Sequence, residues 1–362
     1  MPLNSATIVR RAIVLGLALA AVAVPSASAA PKDFVGIASA ETFSKAGSFR
    51  ATNLRGISRA GAGLIRQNFD WALTERSPGA YDFSYLDEYV ADTAARGLRL
   101  MPVLTNAPEF YAREGSGRGA TRPRDNDTMA AWAKELVRRY GPDGTLWDER
   151  PYLSYVPITV WQVWNEPSLD VYWGPRANAK EYARMLKTVG RAIEQVDPEA
   201  EIVTAGLPPT KLSAAVPLDR YLKQLYAAGG ARAFDTLAIN AYAREADELE
   251  ALLRSVRKLM NGRGDRSAKI WITELGWGDK GLRHRFIVGA KGQAKRITDS
   301  FAVVRALRAR LKLRGLVYFS WRDSKPYPPL FQNLWGLHTG LLNENGAKKP
   351  AYRAFVKAAR KL

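Results

Sequence analysis

The sequence predicts a single (β/α)8 TIM barrel of the α/β class, and three observations carry that expectation. Short apolar segments alternate with amphipathic ones through residues 31–362, giving eight strand–helix units. Several of the apolar segments are hydrophobic at successive positions instead of alternating, as strands covered on both faces must be. No linker rich in Pro, Gly or Ser and no low-complexity stretch divides the region. Eight units in roughly 330 residues suit a closed barrel, whose usual size is ~250 residues plus insertions.

Strands are expected at 34–39, 63–69, 98–104, 158–164, 202–207, 236–242, 269–275 and 316–321. Between them the spacing predicts helices. The stretch 83–96 puts Phe83, Leu86, Val90 and Ala94 on one face, and Gly97 stops it. Asp127 stands where it can cap a helix over 128–140, which Gly141-Pro142 ends. Further helical patterns run over 180–196, 247–260, 293–312 and 350–361. An open, doubly wound sheet is the alternative, and it requires a glycine-rich phosphate turn after the first strand. The segment Gly36-Ile37-Ala38-Ser39-Ala40-Glu41 lacks the G-x-G-x-x-G spacing.

Residues 1–30 read as a signal peptide. Arg10 and Arg11 precede an apolar run over 12–24, and Ala27-Ser28-Ala29 supplies a small-residue cleavage site. The run is shorter than the ~20 residues a spanning helix needs, and no later stretch approaches that length. The expected product is exported and has no membrane span, so it is secreted or associated with the cell envelope. It has no cysteine, hence no disulfide, and a large core must hold it together. The two histidines, His284 and His338, lie far apart, so neither a zinc or redox-metal site nor a cofactor is expected. A hard cation held by scattered carboxylates stays open.

The 54 Lys and Arg against 35 Asp and Glu give a formal charge of +19. An acidic or envelope-bound polymer suits that balance as a partner. Much of the charge is nevertheless spread over helices such as 305–314 and 348–361, the pattern of solvated outer faces. Nucleic acid would need basic residues clustered with aromatic ones in one groove, and the sequence shows no such cluster.

In a barrel of this kind the carboxyl ends of the strands form the site. The second strand ends near Arg66, Asp70 and Trp71, and the third near Asn106 and Glu109. The fourth delivers Asn165 and Glu166 in "VWQVWNEP", the sixth Asn240 and Tyr242, the seventh Glu274 in "KIWITELGWG", and the eighth Trp321, Arg322 and Asp323. Each glutamate alone could be an ordinary loop acid. Strands four and seven, however, face each other across a barrel mouth, and paired carboxylates in a cleft are what glycosidic cleavage requires: one protonates the departing oxygen, the other stabilises or attacks the sugar carbon. The 10 Trp and 15 Tyr offer faces for sugar rings, with Trp71, Trp173 and Trp277 as further stacking candidates.

At these residues the sequence resembles a clan A glycoside hydrolase, most of all the cellulase and β-xylosidase-like enzymes of families 5 and 39. The motifs are the Asn165-Glu166-Pro167 tip, Thr273-Glu274-Leu275-Gly276-Trp277, Arg66, Trp321 and the closing Gly340-Leu341-Leu342 with Lys349-Pro350-Ala351-Tyr352. The resemblance covers nearly all of residues 31–362. It implies a retaining double displacement with Glu166 as general acid/base and Glu274 as nucleophile. It also implies that Asn165 bonds the sugar 2-hydroxyl, that Arg66 and Tyr242 orient Glu274, that Trp161 or Trp164 gives Glu166 an apolar wall, and that Trp321 forms the floor under the cleaved sugar. Some clan members carry histidines where Asn106 and Asn240 stand here. The expected partner is therefore a poly- or oligosaccharide. A non-catalytic carbohydrate-binding barrel and a transglycosylase using the same two glutamates are the alternatives.

Overall fold

The computed structural model describes residues 30–325 and 333–362, so the expected signal peptide lies outside the described residues but for Ala30. Eight parallel strands close into a ring in chain order: β1 (Val35–Ala38), β2 (Leu64–Asp70), β3 (Arg99–Thr105), β4 (Val160–Val163), β5 (Glu201–Val203), β6 (Thr236–Asn240), β7 (Lys269–Leu275) and β8 (Leu313–Phe319), with β8 pairing back onto β1. A small antiparallel hairpin, Glu75–Ser77 with Ala80–Tyr81, lies outside the ring. The predicted barrel is the observed one.

A helix follows each strand: α1 (Gly47–Arg59), α2 (Ser84–Ala94), α3 (Asn126–Tyr140), α4 (Ala179–Glu194), α5 (Leu218–Ala227), α6 (Ala246–Gly262), α7 (Gly289–Leu307) and α8 (Pro350–Ala359). Two of these escape the sequence reading. α1 carries two glycines in thirteen residues, a weak helix former by composition. α5 does show the helical spacing, in Leu218, Tyr221, Leu222 and Leu225, all buried. The cap of α3 is Asp125, two residues before the expected cap, and its side chain accepts from the Asp127 backbone N–H.

Strand parity divides the core in two. Ala38, Leu64, Met101, Val160, Val203, Ala238, Trp271 and Val317 fill the barrel interior, with Phe319 packed on them. The opposite parity, including Ile65, Trp161, Ile202, Ile239 and Ile272, packs under the helices. Successive residues of one strand thus serve both layers, which is why the strands read as unbroken apolar runs. Beyond its three paired residues β5 resumes only as single bridges, Gly206 to Asn165 and Leu207 to Ile239.

Candidate active site

The inward parity that supplies Leu64, Val160 and Ala238 lower in the barrel supplies Arg66, Gln162 and Asn240 one step nearer the mouth. Arg66 is the hub. Its Nε donates to Gln162 Oε1 at 2.7 Å, Nη1 to Glu274 Oε1 at 2.8 Å and Nη2 to Asn165 Oδ1 at 2.8 Å. A guanidinium presents donors in a fixed planar fork, so one residue orients a carboxylate and two amides from β7 and β4. The other oxygen of Glu274 accepts from Tyr242 Oη at 2.6 Å. Arg66 therefore pairs with Glu274 and not with its strand neighbour Asp70, which instead accepts from Asn106 at 2.8 Å.

Glu166 has a different environment. Its Oε1 accepts from Asn240 Nδ2 at 2.7 Å, and Thr273 Oγ1 donates to Asn240 Oδ1 at 2.9 Å. The side chain is buried, and its carboxyl is pushed up well above the ordinary range, first by burial and then by the charge of Glu274. Asn240 and Arg66 offset part of that rise. Tyr242 is raised too, by burial and then by Glu274, so its phenol remains a donor. Glu166 sits at φ 47° and Trp164 at φ 71°, left-handed backbone that non-glycine residues adopt at a cost of ~1–2 kcal/mol each. Such strain persists only where the surroundings over-determine it, and here it turns the end of β4 so that Glu166 enters the mouth.

The structure brings together Glu166, Glu274, Arg66, Asn165 and Tyr242, but not Trp321. That indole is 2% exposed, donates to Asn53 Oδ1 at 2.9 Å and packs against Gly56 of α1 and Tyr352 of α8, outside the barrel. The ring on the inward face of β8 is Phe319, half-buried above Val317. The indole that the resemblance expects as a floor therefore does not line the mouth. Trp71, Trp173 and Trp277 are core residues as well, all but fully buried: Trp71 stacks on Trp132, Arg122 lies over Trp173, and Trp277 donates to Ala243 O. Trp161 and Trp164 likewise belong to the outer layer. Glu109 is exposed beyond β3.

Sequence reasoning gave no role to Gln162, Thr273 or Trp335. A glutamine inside an apolar strand, in register with inward Val160, was a usable signal for the first. Trp335 lies in the connection after β8, its ring 5.2 Å from that of Tyr242 and stacked on His284, and no local pattern announces such a contact. His338, given no role from sequence, meets Asp279 and Asp323 in the one grouping among the described residues with metal-ligand chemistry. Lys349 Nζ already bridges that pair of carboxylates, at 2.9 Å to Asp279 and 2.7 Å to Asp323, so an ammonium supplies the positive charge.

Fold and site together define a (β/α)8 barrel with two glutamates on opposed strand ends, unlike in environment. No family model matches the chain. It is 26% identical over 132 residues to a β-xylosidase of Geobacillus stearothermophilus, a match covering 34% of this chain and 24% of that protein. Its fold is similar to a family 39 glycoside hydrolase of Bacteroides cellulosilyticus WH2, at 18% identity and TM-score 0.66, over 91% of this chain and 64% of that one. The family 39 enzyme of Xanthomonas axonopodis pv. citri gives 17% identity and TM-score 0.66, over 91% and 67%. The chain thus spans about a quarter of the curated relative and under two thirds of the first of these structures.

Proposed function

We propose that the chain is an exported retaining glycoside hydrolase that cleaves β-glycosidic bonds in a poly- or oligosaccharide, with Glu166 as acid/base and Glu274 as nucleophile. The observation that carries the reading is the unlike treatment of two carboxyl groups in one mouth. Glu166 is buried beside a like charge, and both favour its protonated form. Glu274 has both oxygens bonded, by Arg66 and Tyr242, and is aimed. Similarity to a β-xylosidase and to family 39 hydrolases supports β-linked sugars as substrate. The basic leader ending in Ala27-Ser28-Ala29 supports export to the cell surface or beyond, and the charge of +19 suits an acidic or envelope-bound polymer.

In the first step the Glu274 carboxylate attacks the anomeric carbon while the Glu166 proton passes to the glycosidic oxygen, which leaves as an alcohol. Esterified Glu274 carries no charge, so the second-largest cause holding Glu166 protonated disappears at that moment. Glu166, now stable as the carboxylate, takes a proton from water as the water oxygen attacks the anomeric carbon, and Glu274 leaves as carboxylate. Asn165 Oδ1 accepts from Arg66, which leaves the Asn165 amide N–H groups for the sugar 2-hydroxyl.

A polysaccharide panel with product sizing tests the reading and separates hydrolysis from transfer to added sugar. The Glu274→Ala variant should be inactive, and azide should restore turnover with the inverted glycosyl azide as product. Equal rates for Glu274→Ala and wild type on every cleaved substrate would overturn the assignment.

A further inference from the structure

A cavity of about 1060 Å³ lies at the amino ends of the strands, opposite the paired glutamates. Lys32, Arg99, Lys269, Arg308, Lys312 and Arg314 line it, and Asp33 is the one carboxylate among the described lining residues. Asp33 is already shared: Arg314 bonds it at 3.0 Å and Arg99 stands at 3.7 Å. Arg314 is further committed to Glu201 at 3.0 Å and lies over Trp271, closing the barrel interior from below. Lys32 and Lys269 are exposed and make no ion pair or side-chain hydrogen bond among the described residues. Lys312 holds left-handed backbone, φ 52°, at a position where glycine would sit without strain, and its Nζ donates only to a backbone carbonyl, Arg266 O at 2.8 Å. The sequence spreads these cations over four separate stretches. The barrel gathers them into one concavity.

We propose that this concavity is a second binding site, for an acidic polysaccharide chain, separate from the catalytic mouth. Cations around one hollow with a single, shared carboxylate raise a positive potential that low-dielectric walls concentrate. Arg99 and Arg314 already share Asp33, whereas Lys32, Lys269 and Lys312 come from three separate stretches of the lining and pair with no carboxylate among the described residues, which suits a chain bearing repeated carboxylates better than a single small ion. Tyr155, 61% exposed, is the one exposed aromatic residue in the lining, too few for the successive base stacking on which single-stranded nucleic acid depends. Choosing a glycan rests on the carbohydrate-active reading above. The site would tether the enzyme to an anionic polymer while leaving the opposite face open for cleavage.

The test uses residues 31–362 carrying Glu274→Gln, so that nothing is turned over, with polygalacturonate as probe in affinity electrophoresis at low and high salt. Lys32→Glu with Lys269→Glu should weaken retention about tenfold and flatten its salt dependence. The equally charged control, Lys187→Glu with Lys258→Glu on exposed faces of α4 and α6, should change it less than about twofold. Three results would overturn the proposal: no retention of the parent protein, equal loss from both pairs, or loss instead from Lys211→Glu with Arg285→Glu, which border the hollow beside Tyr242 at the mouth. DNA held as tightly and released by the same two substitutions would overturn the choice of glycan. Unchanged melting temperatures show that the variants are folded. Release of reducing ends by the unmodified protein scores the hydrolase reading separately.

Discussion

Asn240 donates to Glu166 at 2.7 Å and is itself fixed by Thr273, so the carboxyl of the proposed proton donor is held by residues of β6 and β7. The backbone makes room for this. A Cβ on Gly206 would overlap Asn240 Oδ1 and come within 2.8 Å of Thr273 Oγ1. Gly206→Ala should therefore displace the Asn240 amide and lower kcat/KM roughly 10- to 100-fold, the effect of one misplaced buried hydrogen bond. Asn240→Ala should do the same without crowding. An unchanged kcat/KM in both variants would remove Asn240 from the positioning of Glu166.

The alkaline limb of activity should belong to Glu166. Its first step needs the protonated acid, and burial beside Glu274 raises the pH at which that proton is lost. The pH profile of kcat/KM should accordingly stay flat into the neutral range and fall only above it. In Glu274→Gln, titration of Glu166 followed by carbon NMR should shift to lower pH, because the second-largest cause of the rise has been removed. A shift to higher pH, or none, would contradict the electrostatic coupling of the pair.

Stability should register the same group with the opposite consequence. A carboxyl raised in the folded state contributes fully below its unfolded value of ~4.3, and that contribution is lost as pH rises through the folded value. Glu166→Gln keeps the Asn240 bond to its Oε1 position and cannot ionise. Its stability should match the parent below about pH 4, exceed it increasingly as pH rises from there to the raised folded value of Glu166, and hold a constant lead of roughly 1–3 kcal/mol above it. A constant difference across pH would mean that the carboxyl carries no such penalty.

Arg66 should prove irreplaceable by lysine. Its three bonds use Nε, Nη1 and Nη2 in one plane, which a single ammonium cannot reproduce. Arg66→Ala leaves Glu274 buried without its cation and should cost about 3–5 kcal/mol in denaturant unfolding. Arg66→Lys should recover much of that stability while kcat stays low. Recovery of kcat together with stability would show that Arg66 supplies charge alone.

The barrel was legible because each strand serves two apolar layers and each helix one, and both patterns survive in the order of residues. The meeting of two glutamates in one mouth was legible because Glu166 and Glu274 each stand at the carboxyl end of such a strand. Gln162 was partly so, by parity with Val160. Contacts made across long stretches of chain were not: Lys349 reaches Asp279, Trp335 approaches Tyr242, and the amino-end cations converge only once the ring closes. The misplacement of Trp321 has a simpler cause. Tryptophan is the more conspicuous ring, but parity along β8 runs Val317 to Phe319, and the chain leaves the strand there.

That difference gives the last prediction. Trp321 fills a slot between α1 and α8, with its indole N–H on Asn53, whereas Phe319 faces the mouth. Trp321→Ala should act as a core truncation, lowering stability by about 3–5 kcal/mol while kcat/KM of the protein that remains folded changes little. Phe319→Ala should do the reverse. A half-exposed ring removed from the mouth costs modest stability, but a sugar that rests on it loses apolar contact in ground and transition state alike, so KM should rise more than kcat falls. Denaturant curves and initial rates on the same preparations separate the two. If Trp321→Ala raised KM at unchanged stability, the indole would have to reach the mouth in solution, and Phe319 would lose its place as the floor.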